Sequence, residues 1–233
     1  MIVWNGKSSD DFGIVIEKVP VQTHPRRKVE TVSVPGRNGD LVRAQNAWEN
    51  YDQPFEIFAG EADGSAPIAF REIADWLYAP RGYARLEDSF DPDAFRLAHF
   101  TGPFDVDFTL MRVGRTTVTF NCKPQRFLKL GEQPITFTAD GALWNPTQYE
   151  AKPFIRAYGT GTMSINGYTV TVTVASGYTD IDSELEDAYK GAVNCNANVK
   201  LTNHEYPVLS PGTNTLAIAG FSRVEITPKW WTI

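Results

Sequence analysis

The sequence of 233 residues is short of cysteine, of histidine, of long apolar runs and of any basic excess. Each shortage closes off a class of protein. The two cysteines, Cys122 and Cys195, fall in different halves, and neither has a neighbouring Cys at metal-ligand spacing. A disulfide scaffold and a cysteine zinc site are therefore excluded, and two reduced, buried thiols in a protein made in a cytosol are expected. No apolar run approaches the ~18–20 residues of a membrane helix, and no basic-then-apolar leader opens the chain. Neither a membrane partner nor a signal peptide is expected. The formal charge is −6 with a pI near 5.1. Up to Leu130 there are 16 basic and 18 acidic residues, and after it 6 basic and 10 acidic. Neither half can bind phosphate backbones by charge neutralisation, which argues against sequence-specific nucleic-acid binding. An acidic protein could still surround a DNA channel, where repulsion keeps DNA from sticking.

Catalytic patterns are missing too. No Ser sits in G-x-S-x-G, and Gly159-Thr160-Gly161 lacks the third glycine of a dinucleotide loop. Asp180, Asp182 and Glu184 are spaced like hard-cation ligands. An EF-hand loop starting at Asp180 would need Gly where Leu185 stands and Glu where Gly191 stands. The bland reading is a solvated acidic turn. His24, His99 and His204 are far apart in sequence. His24 precedes Pro25-Arg26-Arg27-Lys28, which reads as a solvated loop face or as a docking patch for an acidic partner. Spacing alone leaves paired carboxylates for glycoside hydrolysis open, but Glu150, Glu184, Glu186 and Glu205 lie in polar turns. The expectation is a protein that is not an enzyme and holds no metal or cofactor.

Large core side chains are abundant: 14 Phe, 9 Tyr and 6 Trp in a chain that is 42% hydrophobic. Most of the chain reads as strands. Val29–Val34 and Leu41–Trp48 flank the turn cluster Pro35-Gly36-Arg37-Asn38-Gly39-Asp40, which predicts a long hairpin with its tip at Gly36–Asp40. Ser65 as N-cap, Pro67 in the first turn and apolar residues Phe70, Ile73, Trp76 and Leu77 on one face predict a helix over about 66–78. Strands follow over Tyr83–Asp88, Ala94–Phe100 and Phe104–Val113, with a tight connection at Gly114-Arg115. Thr117–Cys122 then pairs back and stops at Lys123-Pro124. After Leu130 charges thin out and short strands crowd together: Ile135–Thr138, Phe154–Tyr158, Thr162–Ile165, Tyr168–Val174, Ala192–Leu201, Thr215–Ile218 and Ser222–Thr227. Asn166-Gly167 is a type I′ hairpin signal. The pattern suggests a β-sandwich and two domains, 1–130 and 131–233.

Several segments, in this order, resemble the siphophage distal tail protein (Dit) family. Phe12-Gly13-Ile14-Val15-Ile16-Glu17 leads to Val34-Pro35-Gly36-Arg37-Asn38-Gly39-Asp40-Leu41, similar to the family's first hairpin. Asn121-Cys122-Lys123-Pro124 looks like the end of its N-terminal domain. Asp180–Glu184, Ala188–Gly191, Asn194–Asn196 and Tyr206–Asn214 follow, and Ile226–Ile233 closes the chain. Tyr206 departs conservatively from a position where the family often has Phe. The resemblance implies a mainly β protein. Its N-terminal domain would be a tail-tube-like β-sandwich with one α-helix and a long β-hairpin, and its C-terminal domain a galectin-like β-sandwich. It implies a homo-hexameric ring at the tail tip of the virion, assembled in the host cytoplasm. The ring would join the tail tube protein to a tail-associated lysin or central fibre protein and to the host-adsorption apparatus. On this reading Val32, Val34, Gly36, Arg37, Asn38, Gly39, Asp40, Leu41 and Val42 form a subunit or partner interface. Proline at Val32 is expected to abolish the ring and spare the monomer.

A second class of function is a carbohydrate-binding module acting in host-surface recognition, with Trp144 and Tyr178 as saccharide contacts among the aromatics Tyr149, Tyr158, Tyr168 and Tyr189. Receptor-binding protein or cell-wall saccharide would then be the outward partner. Aromatics in a sandwich more often pack across strands or in the core.

Overall fold

The helix forms where its periodicity places it. In the computed structural model, which describes residues 1–60, 65–173 and 175–233, the helix α1 spans Ala66–Tyr78. Ser65 stands at the N-cap, its carbonyl accepting the Ile68 N–H at 2.8 Å. Phe70, Ile73, Trp76 and Leu77 are buried. Val174, the expected end of the strand starting at Tyr168, lies outside the described residues.

The chain divides into two units, residues 1–126 (joined by Ile233) and residues 127–232. The strands of the first, in chain order, are β1 (Ile2–Trp4), β2 (Lys7–Ser8), β3 (Val15–Ile16), β4 (Arg27–Val32), β5 (Leu41–Trp48), β6 (Tyr51–Gly60), β7 (Ala84–Asp88), β8 (Ala94–His99), β9 (Asp107–Thr109) and β10 (Val113–Leu128). The main sheet runs β2-β1-β7-β8-β10-β6-β3, with β9 on β10. Strand β6 shows the period of two that a half-buried strand requires: Tyr51, Gln53, Phe55, Ile57 and Ala59 are buried and alternate with more exposed neighbours. Its whole length pairs with β10, from Gly60 opposite Val113 to Tyr51 opposite Cys122. The core joins these residues to the helix. Trp4 packs on Phe120 with ring centroids 4.9 Å apart, and its Nε1–H donates to the Leu77 carbonyl. Trp76 Nε1–H donates in turn to the Trp4 carbonyl, so each indole ties α1 to β1.

The second unit holds β11 (Ile135–Phe137), β12 (Gly141–Asn145), β13 (Phe154–Tyr158), β14 (Gly161–Ile165), β15 (Tyr168–Val172), β16 (Tyr178–Asp182), β17 (Asp187–Lys190), β18 (Val193–Asn194), β19 (Val199–Leu201), β20 (Gly212–Ala219), β21 (Arg223–Thr227) and β22 (Trp231–Thr232). One sheet is β11-β21-β13-β16-β17-β18 and the other β12-β20-β14-β15-β19. Ile155, Ile181 and Val224 from the first and Met163, Val170 and Leu216 from the second share one core, which makes a sandwich. Asn166 and Gly167, both at positive φ, turn β14 into β15.

Several expected elements differ. Phe104–Val113 is not one strand: β9 ends at Thr109, the turn is at Leu110 and Met111 (φ 50° and 61°), and Val113 already opens β10. Gly114 lies inside β10, paired with Ala59 and Phe108, and a Cβ there would lie 2.4 Å from the Phe70 ring. Lys123-Pro124 does not stop the strand, which runs to Leu128. Pro124 lies beyond the last residue paired with β6, so its missing N–H breaks no bond on that side. Ala192–Leu201 divides into β18 and β19, one in each sheet, with a turn of 3-10 helix between them. Cys122 is buried, whereas Cys195 is only half-buried.

Candidate interaction surfaces

Among the described residues the hairpin of β4 and β5 is a sheet of two strands with no third. Val29 faces Ala44, Glu30 Arg43, Thr31 Val42 and Val32 Leu41. Alternation then separates two faces. One carries Val29, Thr31, Val42 and Ala44 and is free of charge, while the other carries Glu30 and Arg43. All of β4 is exposed, and Val42 is 65% exposed. A register shift between Arg27 and Val29, with Asn46 at φ 51°, marks a bulge near the root. The connection begins with a turn closed by Arg37 N–H to the Val34 carbonyl at 3.1 Å. Pro35 at its second position and Gly36 at φ 80° give a type II turn. Asn38, Gly39 and Asp40 complete an exposed tip, with Gly39 also at positive φ. All nine residues singled out in sequence, Val32 to Val42, thus lie together on this hairpin, and only Val34 is half-buried. The basic run straddles the hairpin root: Pro25 and Arg26 precede β4, and Arg27 opens it and stacks on the Trp48 ring at 4.7 Å.

The two saccharide candidates do not meet. Trp144 is on β12, 66% exposed, and Tyr178 is on β16 of the other sheet. Around Tyr178 the outer face of its sheet is an ordered row. Arg156 binds Asp180 through Nε and Nη2 at 2.6 and 2.9 Å and lies 4.5 Å from the Tyr178 ring. Arg223 covers Tyr158 at 3.9 Å, and Tyr158 donates its hydroxyl proton to Glu225. The Asp180 hydrogen bonds hold the Arg156 guanidinium above its usual pKa. The ring faces are already capped by cations, so this row reads as self-satisfied packing.

The acidic segment is not a solvated turn. Asp180 and Asp182 are buried in β16. Lys229 reaches both carboxylate oxygens of Asp182, at 3.2 and 3.1 Å, and the Glu184 N–H donates to the same carboxylate. Only Glu184 points into solvent. Among the described residues no group of three His, Cys, Asp or Glu side chains could hold a metal ion. No described helix is long and apolar enough to cross a membrane.

No family model matches the chain, and no curated protein matches it in sequence. Solved structures do. The crystal structure of the Dit protein of phage SPP1, called a paradigm of the hub adsorption apparatus in phages infecting Gram-positive bacteria, superposes with a TM-score of 0.77. The match covers 100% of this chain and 98% of that one at 13% identity. The chain has the fold of SPP1 Dit from end to end. A chain of the phage P2 baseplate, in its activated conformation with Ca, matches at TM-score 0.54 and 11% identity, over 94% of this chain and 90% of that one. The two-unit, mainly β architecture with one α-helix is therefore that of known phage hub and baseplate proteins.

Proposed function

We propose that this chain is a distal tail (hub) protein of a phage tail, structural rather than enzymatic, whose copies form a hexameric ring. The observation that carries the reading is the hairpin. A ribbon of two strands is marginal in water, and this one exposes Val29 and Val42 on its uncharged face and Val32 and Leu41 on the other, with no third strand paired to it among the described residues. A neighbouring copy would cover its uncharged face, and head-to-tail contacts of that kind close into a ring when the rotation is right. Agreement over the full chain with a hub protein supports the same role. On this reading the ring belongs to the virion tail. It meets the tail tube protein on one face and a lysin or central fibre protein on the other, and its galectin-like C-terminal unit carries the receptor-binding proteins.

The saccharide-binding reading ranks second, since Trp144 and Tyr178 are on different sheets and cannot grip one ligand together.

The test is solution mass by light scattering, with negative-stain images of the same peak. Six copies around a central hole are expected for the parent chain. Val42→Asp, an exposed change that costs the monomer under ~0.5 kcal/mol, should abolish the ring, as should Val32→Pro. Rings of normal size from Val42→Asp would refute this use of the hairpin.

A further inference from the structure

The chain leading into the hairpin is held in an unusual way. After β3, which pairs Val15 with Phe58 and Ile16 with Ile57, Glu17 N–H still donates to the Glu56 carbonyl. The ladder then ends at two prolines, Pro20 on the incoming chain and Pro54 on β6, neither of which has an N–H to give. From Val19 to Arg26 the segment has no strand structure, yet Thr23 is half-buried and Pro25 buried.

Side chains take over from the ladder. The Gln53 amide, 2% exposed, donates through Nε2 to the Val21 carbonyl at 2.8 Å, and its Oε1 accepts the Thr23 N–H at 3.4 Å. A primary amide thereby serves residues i and i+2 of the passing chain as a neighbouring strand would. Arg126 donates through Nη2 to the Thr23 carbonyl at 2.8 Å. Its Nη1 lies 3.9 Å from Asp91, which also meets Arg96 at 3.4 Å, so the guanidinium is braced from behind. Among the described residues the Arg126 Nε is buried without a hydrogen-bond partner, a cost set against its bond to Thr23. The arginine is nonetheless positioned to reach Thr23.

We infer that Gln53 and Arg126 form a side-chain latch that fixes the direction in which the β4–β5 hairpin leaves its unit, so that the hairpin is pre-set for docking on a second copy. The docking half rests on the ring proposed above, but the latch itself does not. A two-stranded arm joined through an unpaired segment would otherwise sample many directions, and each would have to be lost on docking.

The test is limited trypsin digestion of the full chain, comparing cleavage at the root (Arg26, Arg27 and Lys28) with cleavage at the tip (Arg37) by mass spectrometry. Gln53→Met keeps side-chain length and removes the amide. The root-to-tip ratio should rise on the order of tenfold, the response of a local opening equilibrium to losing buried hydrogen bonds. The thermal transition and far-UV spectrum monitor folding. Arg126→Met serves as the second variant should Gln53→Met fail to fold. An unchanged ratio in the folded variants overturns the latch. With the parent chain in rings, a folded Gln53→Met that stays monomeric supports the docking half, and one that forms equally stable rings overturns that half. A parent chain that forms no rings refutes the self-assembled ring, and the cleavage ratio then decides the latch alone.

Discussion

Arg96 is the residue whose loss should unsettle the first unit most through charge. Its side chain on β8 is 2% exposed, and that of Asp88 on β7 is 4% exposed. Arg96 donates through Nη1 to Asp88 Oδ2 at 2.6 Å, through Nε to the Tyr51 hydroxyl at 3.1 Å and through Nη2 to Asp91 at 3.4 Å. The other Asp88 oxygen accepts the N–H groups of Phe90 and Asp91 at 2.9 and 3.0 Å. Arg96→Met strands a buried carboxylate, a loss of ~3–5 kcal/mol when one partner of such a pair is removed. The two backbone bonds remain and favour the lower end. In a unit of this size ~3 kcal/mol lowers the melting temperature by roughly 10–15 °C. Calorimetry reads this as a downward shift of the first unit's transition. Adding Asp88→Asn removes the stranded charge and keeps an acceptor for the turn, so the double variant should recover part of the loss. A single variant within ~1 kcal/mol of the parent, or a double variant no better than the single, would refute the argument that a buried charge is the cause.

The Cys122 thiol is pushed up to about 12, first by burial and against the nearby Arg96 and Arg126. In the unfolded chain it ionises from about pH 8.5–9, so the unfolded state binds fewer protons and stability falls as pH rises from there towards 12, by ~1.4 kcal/mol per pH unit. Urea unfolding at about pH 8 and about pH 10.5 should show this loss in the parent and not in Cys122→Ala; equal slopes would count against it. Gly161 begins β14 with its Cα so close to the next loop that a Cβ would lie 2.3 Å from the Ala219 carbonyl oxygen and 2.7 Å from the Phe221 nitrogen. Because both are backbone atoms, Gly161→Ala should cost the second unit ~1–3 kcal/mol by overpacking, seen as a lower denaturation midpoint.

Local signals were legible in the sequence wherever one short segment decides the geometry. The helix follows from a single apolar stripe, and Pro35-Gly36 and Asn166-Gly167 carry their turns in their own φ angles. The β9–β10 turn was not legible, because Leu110 and Met111 adopt positive φ with neither glycine nor asparagine to announce it. The length of β10 was hidden by Pro124, whose harmlessness depends on where β6 begins, 73 residues earlier in the chain at Tyr51. Asp180 and Asp182 looked like a solvated turn because their partners are remote: Arg156 is 24 residues away and Lys229 47. The hairpin candidates were found together because they are contiguous. The latch residues were missed because Gln53 and Arg126 resemble any polar residue on a strand until the segment at Val21–Thr23 is seen against them.

Charge adds a reason why that hairpin suits contact with another copy. Residues 26–48 hold Arg26, Arg27, Lys28, Arg37 and Arg43 against Glu30 and Asp40, a net of +3 in a chain of −6. The rest of the chain therefore carries −9. In one subunit this separation places a basic, half-apolar arm on an otherwise acidic body. Two bodies meeting face to face would repel, whereas an arm laid on the next body pairs unlike charges. That favours head-to-tail contacts over two-fold symmetric ones, and head-to-tail contacts are the kind that build rings.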